Sequence, residues 1–208
     1  MARYTGAVCR LCRRDRVKLF LKGSRCETMK CAIERRPYPP GDHGRDRQKN
    51  PSEYSNQLRE KQKARRIYGL MEKQFHKTYV EANRRQGVTG ENLLALLEMR
   101  LDNVAFRAGW GSSRSQARQL VRHGHVNVNG KRLDIPSVEL RKGDVIELRP
   151  KAREMIVVRH NLDTIDRSIP AWLEGGDTGM KVTVRERPIR AQIDTQVREQ
   201  LIVELYSK

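Results

Sequence analysis

All four cysteines of the 208-residue chain fall within its first 31 residues, as Cys9-x-x-Cys12 and, after 13 intervening residues, Cys26-x-x-x-x-Cys31. Two short-spaced thiol pairs joined by a short loop suit a tetrahedral thiolate site, since each pair grips one side of an ion and the loop brings the pairs together. Arg10, Arg13, Arg14, Arg25 and Lys30 stand beside them; these cations would favour thiolates and offset the net negative charge of a zinc tetrathiolate. Zn2+ is the first reading. An iron-sulfur cluster would use the same four ligands, and four free thiols or two disulfides are the plain alternatives. Secreted disulfide scaffolds spread their bridges through a small domain, whereas this cluster occupies one end of a chain that has no other cysteine.

A second set of residues could hold phosphate. Against 25 Asp and Glu the chain carries 43 Lys and Arg, a formal net charge of +18, and such a field attracts polyanions by releasing their condensed counterions. Arg59, Lys63 and Arg66 fall on one helical face by i, i+4, i+7 spacing. Arg114, Arg118 and Arg122 do the same at i, i+4, i+8, with His123 and the hairpin-tip residues Lys131 and Arg132 nearby. Arginine's planar fork suits bidentate phosphate contact. Each run, taken alone, fits an ordinary solvated helix face equally well; the overall charge tips both towards nucleic acid.

Other chemistries find little support. His43, His76, His123, His125 and His160 form no nucleophile pair with Cys or Ser that spacing defends, and there is no Walker loop. Gly109-Trp110-Gly111 opens a glycine pattern without a third glycine in phase. Aromatics make up 5% of the chain, too few for base stacking to be the main binding mode. The longest apolar stretches, Leu93 to Leu97 and Ile156 to Val158, are far shorter than a bilayer span, and the basic N-terminus lacks an apolar signal core. A cytoplasmic protein with no membrane and no small-molecule substrate is the expectation.

The elements that must position these residues follow from periodicity. Residues 1–50, rich in Cys, Arg, Gly and Pro, read as an arm built on a metal rather than on a core, because Pro37-Tyr38-Pro39-Pro40-Gly41 excludes helix. A helix from Ser52, its cap, to Tyr68 stops at Gly69. Phe75, Tyr79 and Ala82 mark a second helix ending near Gly87, and Leu93, Leu94, Leu97, Leu101, Val104, Ala105 and Ala108 a third, from Glu91 to Ala108. These three should pack together. Ser113-x-x-Gln116 reads as a capping box for a short helix with Ala117, Leu120 and Val121 as its apolar stripe and Gly124 as its end. His125 to Val128 alternates as a strand into Asn129-Gly130, the favoured type I′ hairpin turn. Val138, Leu140, Val145, Ile146 and Leu148 supply later strand positions, and the tail carries glycine-containing turns near Gly175 and Gly179, then short β-rich runs and the apolar segment Leu201-Ile202-Val203. The fold class is α+β: an N-terminal metal-bound arm (1–50), a mainly helical domain (51–97 and 161–208) with the β-rich tail, and an inserted small helix-plus-antiparallel-sheet RNA-binding module (98–160).

With these motifs in place the chain resembles the bacterial S4 family of small-subunit ribosomal proteins, in its zinc-binding-cysteine branch, over nearly its whole length. The matching stretches include Cys9-Arg-Leu-Cys12, Arg35-Arg36-Pro-Tyr-Pro-Pro-Gly, Leu58-Arg-Glu-Lys-Gln-Lys63, Leu101-Asp-Asn-Val104, Ser113-Arg-Ser-Gln-Ala-Arg-Gln-Leu-Val121, Val128-Asn-Gly130, Trp172-Leu173 and Val203-Glu-Leu-Tyr-Ser207. Gly41-Asp42-His43-Gly44 departs from the family's usual Gly-Gln-His-Gly. The resemblance implies a structural ribosomal protein, not an enzyme. It implies direct binding to a multi-helix junction in the 5′ domain of 16S ribosomal RNA, nucleation of small-subunit assembly, contact with ribosomal protein five and a part in translational accuracy. It also implies contact with messenger RNA where it enters the subunit, through the segment holding Arg45, Arg47 and Lys49, and it adds Arg35 and Arg36 of the arm to the RNA-binding residues. The module at 98–160 also resembles one appended to pseudouridine synthases and a tRNA synthetase, but those carry a separate catalytic domain. A free RNA chaperone or translational repressor is the other alternative.

Overall fold

A computed structural model describes residues 3–46, 50–164, 168–176 and 178–207. The chain forms two compact units, Met1–Leu93 with Thr195–Lys208, and Leu94–Asp194.

In the first unit, short helices α1 (Cys9–Asp15) and α2 (Ala32–Arg35) lead to α3 (Glu53–Ile67) and α4 (Glu72–Arg84), and α10 (Glu199–Tyr206) closes it. Ser52 caps α3 as its type and place predict, its hydroxyl accepting from the Ser55 amide at 3.2 Å. The buried stripe of α3, Gln57, Lys61, Ala64 and Ile67, is half polar, so it needs partners rather than hydrocarbon alone. Helices α10 and α4 supply them: Gln57 Nε2 donates to Glu204 of α10 at 3.0 Å, and Lys61 Nζ donates to Glu72 Oε1 of α4 at 2.8 Å, an oxygen that also accepts from the Tyr206 hydroxyl of α10 at 2.8 Å. Burial by itself would raise the Glu72 carboxyl, but these donors and the charges of Lys61 and Arg65 hold it below the usual glutamate range. On α4 the expected Phe75, Tyr79 and Ala82 face is buried. The terminal Leu201-Ile202-Val203 segment, which the sequence shows as an apolar run following the β-rich stretches of the tail, is helical. Ile202 is fully buried there, because packing against α3 outweighs the strand preference of a β-branched pair.

The boundary between the units falls inside α5 (Thr89–Glu98), after which come α6 (Leu101–Arg107) and α7 (Arg114–Arg122). The single helix expected over 91–108 is therefore two. At the break Arg100 is extended (φ −71°, ψ 139°) and bridges Glu139, with Leu140 N donating to Met99 O and Leu101 N to Val138 O, both at 2.9 Å. This strand-like pairing overrides the apolar period that continues through it. The Ser113 hydroxyl caps α7, accepting from Gln116 N at 3.4 Å. Only half of the expected capping box forms, because the Gln116 side chain turns to Ser112 instead.

Strands β1 (Val126–Val128), β2 (Lys131–Arg132) and β3 (Val145–Leu148) follow, then α8 (Pro150–Arg153), α9 (Ile156–Thr164), β4 (Leu173–Gly175) and β5 (Lys181–Val184). Asn129 and Gly130 both have positive φ, 49° and 77°, as a type I′ turn requires. All five strands make one antiparallel sheet in the order β2-β1-β3-β5-β4, with Val126 opposite Leu148 and Ile146 opposite Val182. Its core gathers Leu101, Val104, Trp110, Leu120, Val121, Ile146 and Trp172. Strands β4 and β5, which the sequence reading groups with 51–97, thus complete the sheet begun by residues 126–148 and lie in the second unit. Among the described residues no helix is long and apolar enough to cross a membrane.

Candidate nucleic-acid interface

The cysteine arm folds around its thiols. Cys9 and Cys12 lie one turn apart on α1, Cys26 ends a 3-10 turn that begins at Gly23, and Cys31 precedes α2. All four are free, and Cys12, Cys26 and Cys31 are buried. Burial pushes the Cys12 thiol up to about 11, a hydrogen bond from the backbone at Leu19 works against it, and the other three cysteines add to the rise. Burial likewise raises Cys26, whose sulfur accepts from Lys22 N at 3.4 Å. The thiols therefore feel one another, and a set of four soft donors suits zinc chemically. The metal-bound arm expected from spacing is nevertheless not shown. Among the described residues no three His, Cys, Asp or Glu side chains gather into a group that could hold a metal ion.

The basic residues named from spacing divide by where their charge goes. Arg118 is buried, 8% exposed, with its guanidinium 3.4 Å from Asp102. Arg114 donates through Nε to Asn103 at 2.8 Å, lies 4.4 Å over the Phe106 ring and sits 4.0 Å from Glu98. The face of α7 that spacing assigned to phosphate thus turns these two arginines onto α6, where acidic and amide groups await them. Arg122, His123, Lys131 and Arg132 are exposed. Their neighbourhood gains two residues that sequence did not suggest, Arg149 and Lys151, both exposed. Pairing of β1 with β3 carries them there, because Arg149 N donates to His125 O at 3.0 Å and its guanidinium to Gly124 O at 3.2 Å. The only sequence signal was the Arg-Pro-Lys start of α8. Burial first, then the charges of His123, Lys151, Arg149 and Arg132, lowers the His125 imidazole from its ordinary value. Among the described residues none of Arg122, Lys131, Arg132 and Lys151 forms an ion pair.

In the first unit Arg66 closes on Asp15 with Nη1 2.6 and 2.7 Å from the two carboxylate oxygens, so it ties α3 to α1. Arg59 donates to Arg14 O at 3.1 Å and keeps its side chain 42% exposed, and Lys63 reaches Glu60 at 3.4 Å. Arg35 and Arg36 are exposed at the end of α2. Arg45 is exposed and stacks 4.8 Å from the centre of the Tyr38 ring, with Arg13 5.0 Å away over the same ring. Arg47 and Lys49 lie outside the described residues.

Residues 3–98 match the ribosomal protein S4/S9 N-terminal domain and residues 99–146 the S4 domain. The small ribosomal subunit protein uS4 of Pelobacter propionicus is 60% identical over 209 residues, covering 100% of both chains. The chain belongs to the uS4 family. Further members are the uS4 proteins of Frankia alni, 59% identical over 210 residues, and Geobacter sulfurreducens, 57% over 209, each again covering 100% of both chains. The family is one of structural ribosomal proteins rather than enzymes. Its two domain matches meet at Glu98, where α5 ends and the extended Met99–Arg100 break begins.

Proposed function

We propose that the chain binds small-subunit (16S) ribosomal RNA directly as a structural component of the ribosome, cytoplasmic and ribosome-bound, gripping phosphates by charge and shape. One observation carries this reading. The patch of Arg122, His123, Lys131, Arg132, Arg149 and Lys151 holds its positive charge at the surface, whereas Arg114 and Arg118 spend theirs inside the fold. Charge without an internal partner is what releases counterions when phosphate arrives. The full family relatives, each named as a small-subunit protein, give the RNA its identity. Arg35, Arg36, Arg45, Arg59 and Lys63 extend the basic surface in the first unit, and Arg47 and Lys49 join it by resemblance. Arg66 is read instead as a fastening between α1 and α3.

The finer parts of the reading rest on family resemblance: recognition of a multi-helix junction, nucleation of assembly, contact with ribosomal protein five, a share in accuracy, and messenger RNA met through the segment around Arg45. A zinc ion on Cys9, Cys12, Cys26 and Cys31 belongs with them, supported by the all-sulfur donor set, three buried unbridged thiols and the cations beside them. When bound it would cross-link the arm, supplying structure and not a reaction. The test of the main reading is affinity of the full chain for a folded 5′-domain fragment of 16S RNA at several salt concentrations, against a duplex of unrelated sequence. Tight, steeply salt-dependent binding to the fragment, with preference over the duplex, is expected. Equal weak binding to both would overturn it.

A further inference from the structure

We propose that the cleft between α1 and α3 seats a backbone phosphate of RNA, with Arg14, Arg16, Arg59 and Lys63 as its cationic lining. The inference deepens the RNA-binding reading and rests on it. The cleft has a volume of about 550 Å3 and is also bordered by Ser52 and Ser55. That is ample for one nucleotide unit, yet no aromatic residue lines it, so it offers a base no stacking face and suits the sugar-phosphate chain.

Charge in the cleft is unbalanced towards positive. Asp15 also borders it, but both its oxygens are held by Arg66 and its side chain is 4% exposed. Glu60 is shared between Lys63 Nζ at 3.4 Å and the backbone amide of Arg198 at 3.1 Å. Among the described residues Arg59 comes no nearer to a carboxylate than 3.9 Å, from Asp15. Arg14 and Arg16 form no ion pair among the described residues. Burial first, then the charge of Arg14, with smaller contributions from Arg66 and Arg16 opposed by Asp15, lowers the Arg59 guanidinium from its ordinary value.

Backbone conformation supplies an independent sign. Arg16 follows α1 as its C-cap in the left-handed region, φ 55° and ψ 25°. Glycine takes that place most readily, and a side chain there costs free energy. Here the strained position carries an arginine, and that residue lines the cleft. Strain kept at a cationic cavity points to a function for the side chain and not for the turn.

The substitution Arg16→Gly separates the two roles, since it removes the cation and relieves the backbone. In the full chain it should keep or raise the thermal midpoint. At 0.15 M salt it should weaken binding to the 5′-domain RNA fragment about four- to sixfold and flatten the log-log salt slope by about 0.7 to 0.9, the contribution of one phosphate contact. Lys63→Gln should act alike and carries the test if Arg16→Gly fails to fold. Wild-type affinity and slope in both variants, with the wild type itself binding steeply, would overturn the cleft and leave the RNA reading standing. A wild type that does not prefer the fragment would overturn both. Calorimetry with tripolyphosphate supplies the last arm. If the cleft binds that anion, and both variants lose it while binding RNA normally, it is a site for free polyphosphate and the proposal falls.

Discussion

Replacing Glu98 by Gln should be the most damaging conservative change in the second unit. The Glu98 side chain is 1% exposed and accepts from Arg107 Nε at 2.9 Å, Arg107 Nη2 at 2.8 Å and Asn103 Nδ2 at 2.7 Å. Arg107 is itself 6% exposed, and its other partner, Asp194, is 75% exposed. The opposing carboxylates raise the Arg107 guanidinium even though burial pulls it down. In Glu98→Gln the charge vanishes and an amide group faces a guanidinium donor. Breaking one side of a buried pair costs about 3–5 kcal/mol. Since Asp194 keeps part of the compensation, the lower end, about 3 kcal/mol, applies. With a urea slope of about 1–3 kcal/mol/M the midpoint should fall by about 1–3 M without a change in slope. Tryptophan fluorescence reads this unit alone, because the chain's two tryptophans, Trp110 and Trp172, both lie in it. Asp194→Asn, at the exposed end, should cost under about 1 kcal/mol, and Glu98→Gln with Arg107→Met, which removes both charges, should recover most of the loss. If Glu98→Gln unfolds no more easily than Asp194→Asn, the network is not holding α5 to α6 as described.

Three further outcomes follow from the site. Arg118→Gln should lower the urea midpoint and leave the salt slope of RNA binding unchanged, while Arg122→Gln should do the reverse; identical behaviour of the pair would contradict their assignment to interior and surface. Glu72 has its folded value depressed, so its contribution is present above the ordinary glutamate value of about 4.3 and disappears as pH falls through the lower folded value. The stability gap between wild type and Glu72→Gln should be full near neutrality and close below about pH 4. At 45% side-chain exposure that gap should not exceed about 1 kcal/mol. Elemental analysis of chain purified without chelator should find one zinc per chain, released by Cys26→Ser. Four freely titrating thiols and no stoichiometric metal would remove the zinc reading.

Local grammar was legible where local forces decide. Ser52 and Ser113 cap as their types dictate, Asn129-Gly130 turns the hairpin, and Phe75, Tyr79 and Ala82 face inward because a period of 3.6 leaves them no other face. What could not be read depends on partners distant in the chain. The helix over 91–108 breaks only because residues 138–140 pair with its middle. Helix α10 reads only as an apolar run until α3 is set beside it. Charge spacing found Arg114, Arg118 and Arg122 but could not tell which of them meet α6, since Asp102 and Asn103 look like any polar pair until folded. Arg149 and Lys151 reach His125 only through strand register. The cysteine pattern was plain in sequence, and among the described residues no metal-holding group is found where it lies.

The order of strands has a consequence during synthesis. Strand β3 lies between β1 and β5, yet β5 ends about 36 residues after β3 does. A growing chain can pair β3 on one side as soon as it emerges, and then waits with the other side's amides and carbonyls open. At roughly 5–20 residues per second that interval is about 2–7 s, long against hairpin closure in microseconds. An open edge is a template for any extended strand nearby, including that of a neighbouring nascent copy. Polysomes making this protein thus carry a brief, repeated opportunity for mispairing, which the arrival of Lys181–Val184 ends.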